Sequence, residues 1–250
     1  LYLLKPLNVF LTQIPWWYTM TVFIIIGYVT VGLRFATITA ILLAFIGATG
    51  MWMHSMITLS SVLVSVLICF VIGVPLGVLA SYNKWYRDIQ NVVLDAMQTL
   101  PYFCYLIPVL MFFGGNIVSA VIATVIYSVP PIIRLTALGL SQVSSGYSEV
   151  SKSFGGTGIQ TLNKVKFPLA VPSLVMGFNQ TVIMAFAMQI VTPLIGGKGL
   201  GLQVFNALQR SDTGRGLSAG LAIVLLAIII DRITHAWTKK QRQALGLDQS

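Results

Sequence analysis

The chain has 250 residues and a formal net charge of +9, with 56% hydrophobic residues, 8% charged residues and a mean hydropathy of +0.87. A soluble domain carries about a quarter charged residues, so this composition excludes a water-covered globule and places the chain in a membrane. The cations fall between apolar runs, which ties them to orientation in a bilayer rather than to nucleic acid.

Stretches free of Asp, Glu, Lys and Arg cover 6–33, 35–83, 96–133, 167–197 and 216–230. A spanning helix needs about 20 mostly apolar residues. In chain order the runs therefore predict about seven transmembrane helices, over roughly 15–33, 35–53, 57–82, 92–113, 116–139, 170–195 and 217–238. The first reads as a retained span, since no basic segment with a short apolar core and a cleavage site precedes it. The second and third spans are joined near Met51–Ser55, and the run from 96 breaks at Gly114-Gly115-Asn116, a turn signal. The apolar runs are continuous, whereas barrel strands alternate apolar with polar residues. The fold expected is an all-α integral membrane protein. Two N-terminal spans occupy 1–55, a core of spans with one long loop (141–171) occupies 56–240, and 241–250 form a tail.

Prolines 75, 101, 108 and the pair Pro130-Pro131 fall inside expected spans. Each removes a backbone donor and bends its helix, either around a water-filled path or as a packing kink. Cys69 and Cys104 sit in apolar stretches and read as packed small residues, not a disulfide framework.

Cation placement sets orientation. One side receives the eleven residues Arg34, Lys84, Arg87, Arg134, Lys152, Lys164, Lys166, Arg232, Lys239, Lys240 and Arg242, and the other receives Lys5, Lys198, Arg210 and Arg215. The larger group belongs to the cytoplasm, which puts the N-terminus outside and the C-terminus inside. The 141–171 loop then faces the cytoplasm. Ser148 and Glu149 open a short helix there, with the acid in its first turn. Gly155-Gly156 end that helix. Thr157 and Gln160 form a capping box for a second helix, with Ile159, Leu162 and Val165 on one face, and Pro168 stops it.

The pattern Glu149-Val150-Ser151-x2-Phe154-Gly155, nine residues, then Val165-x-Phe167-Pro168 resembles the EAA loop of permease subunits in bacterial binding-protein-dependent ABC importers. That loop reads Glu-Ala-Ala-x3-Gly-x9-Ile-x-Leu-Pro in the family, and the spacing is kept throughout. The segments 95–108, Pro130-Pro-Ile-Ile-Arg134, Phe178-Asn-Gln-Thr and Leu194-Ile-Gly-Gly-Lys-Gly-Leu-Gly201 resemble the glycine betaine/proline betaine/choline branch of those permeases. The resemblance implies a type I (MetI-like) transmembrane domain in the bacterial inner membrane. It implies a homodimer of permease chains, two ATP-binding subunits and an extracytoplasmic substrate-binding protein. It also implies that Glu149, Val150, Ser151, Phe154, Gly155 and Pro168 form the ATPase-coupling loop. The expected cargo is a small quaternary-ammonium or zwitterionic osmolyte such as glycine betaine or choline.

No Walker loop occurs: Gly197-Lys198-Gly199 lacks the spacing and the following Ser or Thr, and Gly155-Gly156-Thr157-Gly158 lacks the Lys. ATP and Mg are therefore expected on a partner subunit, with no cofactor, metal or bond chemistry on this chain. His54 and His235 lie near opposite faces and form no common site. Asp95 and Asp231 sit near span ends, where helix-end packing and function are both open. Tyr102, Phe103 and Tyr105, with Asn179 and Gln180, are candidates for the substrate path, because aromatic faces attract quaternary ammonium groups. The glycine-rich outer segment 196–216 reads as a gate and docking surface or as a plain turn. Other readings are an ABC permease for amino acids or another small solute, a secondary transporter, and an intramembrane enzyme. The second predicts inverted repeats with a midplane charge, and the third a convergent set of titratable groups.

Overall fold

The computed structural model describes residues 4–244, with side chains through Ala236. Of the expected tail, residues 245–250 lie outside the described residues, as do the side chains of Lys239, Lys240 and Arg242. Helices follow one another as α1 (Leu4–Gln13), α2 (Trp16–Thr30), α3 (Leu33–Ala48), α4 (Trp52–Tyr82), α5 (Lys84–Thr99), α6 (Phe103–Phe113), α7 (Ile117–Ser128) and α8 (Pro130–Ser141). Then come α9 (Ser145–Ser153), α10 (Gly158–Thr161), a π-turn (Leu162–Lys166), α11 (Phe167–Met188), a 3-10 turn (Thr192–Ile195), α12 (Leu200–Arg210) and α13 (Thr213–Ala244).

Among the described residues, four helical segments are each long and apolar enough to cross a membrane: 52–82, 117–141, 158–188 and 213–236. The number rises to six if each of two bent pairs, α1 with α2 and α5 with α6, is one span. Helix α3 has 16 residues, a little under spanning length. The expected single helix over 92–113, bent at its prolines, is corrected to two helices, because α5 and α6 meet at 97°. The cause is Pro101. It drives the residue before it out of the helical region, and Leu100 takes φ −69°, ψ 133°. Pro130-Pro131 do not break their span, since they occupy the first turn of α8, where no backbone donor is required.

Local chemistry fixes the other boundaries. The Asn116 side chain accepts from the N–H groups of Val118 (2.9 Å) and Ser119 (3.1 Å) and starts α7. Asn83 does the same for α5 through Tyr86 N–H.

The centre of the bundle is α4 packed on α7 and α8, α8 packed on α11, and α11 packed on α13. Small residues permit that closeness, because lipid supplies no hydrophobic drive and helices in it associate by contact. A Cβ at Gly77 of α4 would lie 2.6 Å from Thr136 Cβ and 2.7 Å from Ile133 O of α8. The largest apolar cluster joins α3, α4, α11 and α13 through residues such as Ile46, Leu59, Phe186, Ile223 and Leu226. Helix directions place the loop between α8 and α11 at one end of the bundle, below called the hairpin end, and α12 at the other.

Candidate functional site

The hairpin is built from the backbone up. Ser144, not Ser148, caps α9, and its side chain accepts from Gly146 N–H. Glu149 is therefore the fifth residue of α9 rather than a member of its first turn, a correction of the sequence reading. The expected stop at Gly155-Gly156 is present. Gly155 N–H bonds Lys152 O (2.9 Å) and Gly156 N–H bonds Ser151 O (2.8 Å), the two bonds of a Schellman cap. That cap needs a left-handed residue, and Gly155 has φ +79°. The capping box is present as well: Thr157 N–H donates to Gln160 Oε1 (2.8 Å), and Gln160 N–H donates to Thr157 Oγ1 (3.4 Å). A bond between the hydroxyls of Ser151 and Thr161, 2.8 Å, ties the two arms together.

Pro168 does not stop the second arm, which corrects that expectation. Helix runs on from Gly158 to Met188. The π-turn at 162–166 absorbs the proline, with Phe167 N–H reaching back to Leu162 O. A π-turn widens the backbone by one residue per turn, so the ring meets no carbonyl in a regular register. The expected apolar face of Ile159, Leu162 and Val165 is split. Leu162 packs with Leu140, Ala170 and Leu174, while Ile159 is 74% exposed, because the first turn of the arm projects beyond the bundle.

The hairpin presents an apolar surface that no other part of the described residues covers. Phe154 is 89% exposed, and Tyr147, Val150 and Ile159 are exposed with it. Glu149 is exposed beside them. Among the described residues, the ion pairs are Arg134–Asp95 and His235–Asp231, and neither includes Glu149. Beside the hairpin, Lys166 Nζ lies 5.4 Å from the centre of the Tyr82 ring, closing the π-turn onto the end of α4.

The candidate path residues divide. Tyr102 and Tyr105 gather at the α5–α6 corner around Tyr127 of α7, with ring centres 4.9 Å and 6.0 Å from it. Tyr105 also donates its hydroxyl to Met97 O. Tyr127 was not singled out by sequence, because it sits in an apolar run 22 residues beyond Tyr105 with no local signal. Phe103 and Gln180 are exposed. Asn179 is buried against α13, where its Nδ2 donates to Asp231 Oδ1 at 2.7 Å.

Between α5 and α8, the Arg134 Nη2 to Asp95 Oδ1 pair, 2.6 Å, spans a cleft of about 450 Å³ also lined by Arg87, Asn91 and Ser141. Only the tertiary fold brings Asp95 and Arg134, 39 apart in sequence, together. At the far end, the segment 196–203 is pressed into the bundle. Leu200 N–H donates to Thr58 Oγ1 at 2.8 Å, and Gln203 joins His54 Nδ1 (3.3 Å) to Arg215 Nε (3.0 Å). Asp231 and His235 lie at the hairpin half of α13, away from His54, as the separation of the histidines required.

Comparison with known proteins gives consistent matches. Residues 73–243 match the family described as binding-protein-dependent transport system inner membrane component. The glycine betaine/proline betaine transport system permease protein ProW of Escherichia coli (strain K12) is 40% identical over 241 residues, covering 96% of this chain and 68% of that protein. Its namesake in Salmonella typhimurium is 42% identical, over 88% of this chain and 62% of that protein. The glycine betaine transport system permease protein OpuAB of Bacillus subtilis is 39% identical, over 92% and 77%. The chain thus spans roughly two thirds of the length of the first two relatives. Among solved structures, the inward-facing MetNI methionine ABC transporter matches at TM-score 0.66 and 23% identity, over 74% of this chain and 92% of that chain. This likeness establishes the fold.

Proposed function

The chain belongs to the family of binding-protein-dependent transport system inner membrane components, and from that membership we propose that it is the permease subunit of an ATP-driven importer for a small quaternary-ammonium or zwitterionic osmolyte. The observation that carries the proposal is the hairpin: two capped arms, tied by Ser151 and Thr161, presenting Glu149, Val150 and Phe154 with no partner surface among the described residues. A rigid element with exposed apolar groups and a free carboxylate suits docking to another subunit, where the carboxylate finds a donor and the apolar groups lose their water.

In this reading an ATP-binding subunit, present in two copies, holds nucleotide and Mg and engages the hairpin of each of two permease chains. The hairpin end faces the cytoplasm, since it collects eight of the twelve Lys and Arg side chains in described positions: Arg34, Lys84, Arg87, Arg134, Lys152, Lys164, Lys166 and Arg232, while Lys198, Arg210 and Arg215 stand at the far end and Lys5 beside the middle of α4. The far end, with α12, receives the substrate-binding protein. Moving a two-state protein from 1:99 to 99:1 takes about 5.5 kcal/mol of differential binding. A docking contact kept in both states supplies none of that difference, so nucleotide closing the ATPase pair supplies it. The osmolyte assignment follows the names of the three relatives and the cluster of Tyr102, Tyr105 and Tyr127, whose faces attract a cationic headgroup. Phe103 and Gln180 are further candidates along the same path.

The test is reconstitution of the chain with its ATPase and binding-protein partners in proteoliposomes, followed by uptake of radiolabelled glycine betaine. ATP-dependent uptake that requires all three components is expected. Uptake without ATP, or ATP-driven uptake of an amino acid in preference to any betaine, overturns the reading.

A further inference from the structure

Helices α11 and α13 meet along a seam that is apolar except at one level. Val182, Ala185 and Phe186 of α11 share a core cluster with Ala222, Ile223 and Leu226 of α13. Small and aliphatic side chains trade neighbours readily when one helix slides or turns on the other, and within a membrane no hydrophobic drive opposes such a shift. A seam of this kind does not define its own register. A polar group placed in an apolar seam does, because any other register leaves it without a partner.

Asn179 is that group. It is 5% exposed, and both ends of its amide are used across the seam. Nδ2 donates to Asp231 Oδ1 at 2.7 Å, and Oδ1 accepts from Thr234 Oγ1 at 2.6 Å. His235 Nε2 stands 3.6 Å from the same carboxylate oxygen. Asp231 is the sole acidic residue within the four described segments able to cross a membrane. A carboxylate within a spanning segment, even near its end, needs a partner, and this one meets Asn179 of α11.

The position of this contact matters. Helix continues without a break from the second arm of the hairpin through the π-turn into α11. At its other end α13 connects to α12, whose Gln203 bonds Arg215 of α13 and His54 of α4. The Asn179 contact therefore lies on the line from the hairpin to the far end of the bundle. We propose that Asn179 is a positioning residue: with Asp231 and Thr234 it clamps α13 in register on α11, so that displacement of the hairpin is delivered to α12. This rests on the functional reading above. It assigns the carboxylate a geometric role, not that of a cation site.

The test uses the complete transporter in proteoliposomes and reads both ATP hydrolysis stimulated by the loaded binding protein and substrate taken up per ATP. Asn179→Leu should keep stimulated hydrolysis while uptake per ATP falls by about tenfold, a coupling loss within the usual range. Asp231→Asn keeps an oxygen acceptor for Asn179 and should cost far less. The exchange Asn179→Asp with Asp231→Asn should keep uptake per ATP at the wild-type level, since the amide at 231 then donates to a carboxylate at 179 that still accepts from Thr234. Unchanged uptake per ATP in Asn179→Leu overturns the clamp. So does loss in Asp231→Asn as deep as in Asn179→Leu, which would mark the charge itself as essential. Should Asn179→Leu fail to accumulate in membranes, spin labels at the exposed Gln180 and Arg232 decide the matter. One narrow distance is expected in wild type and in the exchanged pair, and a broadened distribution in Asn179→Ser. Equal distributions in all three overturn the proposal. Absence of ATP-driven uptake in wild type would refute the functional reading alone, while the spin-label distances would still decide the clamp.

Discussion

Gly155→Val is the sharpest perturbation of the hairpin. Gly155 holds φ +79°, and its N–H and that of Gly156 close the Schellman cap on Lys152 and Ser151. A left-handed backbone costs a non-glycine residue roughly 1–2 kcal/mol, with β-branched side chains at the upper end. No neighbouring atom lies within 4 Å of a Cβ built there, so the backbone conformation alone sets the cost. About 2 kcal/mol lowers the ratio of docking to other hairpin conformations by roughly 30-fold, and the docking share by up to that factor. The apparent affinity for the ATPase subunit falls in the same proportion, because only the competent fraction binds. The assay is titration of the purified permease with ATPase subunit, read by binding-protein-stimulated hydrolysis. A rightward shift of roughly 5- to 30-fold is expected for valine. Asn tolerates the left-handed region, so Gly155→Asn should shift the curve much less. Wild-type affinity in the valine variant, or equal losses for valine and asparagine, would refute the reasoning.

Gly77→Leu forces α4 and α8 apart, since even a Cβ would sit 2.7 Å from the Ile133 carbonyl; a loss of about 1–3 kcal/mol is expected, read as a lowered thermal midpoint of the solubilised protein. Thr58→Val leaves the buried Leu200 N–H without its acceptor, at a cost of about 1–3 kcal/mol in the same measurement, and Thr58→Ser recovers most of it. Tyr127→Leu removes the ring that Tyr102 and Tyr105 share, and should raise the KM for glycine betaine uptake several-fold, on the order of 1 kcal/mol of cation–π attraction, while Tyr127→Phe changes it little.

Much of the hairpin was legible because its signals are local. A capping box, a glycine pair ending a helix and the Glu-to-Pro spacing each act over a few residues, and the capped turns stand where the sequence puts them. Two local rules failed for identifiable reasons. Ser148 and Glu149 look like a helix start, yet Ser144 offers a cap one turn earlier and the helix begins there. Pro168 looks like a stop, yet apolar packing on both sides holds the chain helical and a π-turn accommodates the ring. The same competition decided Pro101 the other way. There the following helix α6 has only Tyr105, Leu106 and Val109 buried, too little contact to pull the chain straight through a proline.

Sequence alone determined the medium, the helical class, the family resemblance and the hairpin, because each rests on composition, on runs of apolar residues or on spacings within one turn or two. Only the tertiary structure decided which polar residues meet. Asp95 finds Arg134 across 39 residues, Asn179 finds Asp231 across 52, and Thr58 finds Leu200 across 142. Those pairings depend on the rotation of each helix about its axis and on the bends at Pro101 and the π-turn, which side-chain packing sets and no local pattern encodes.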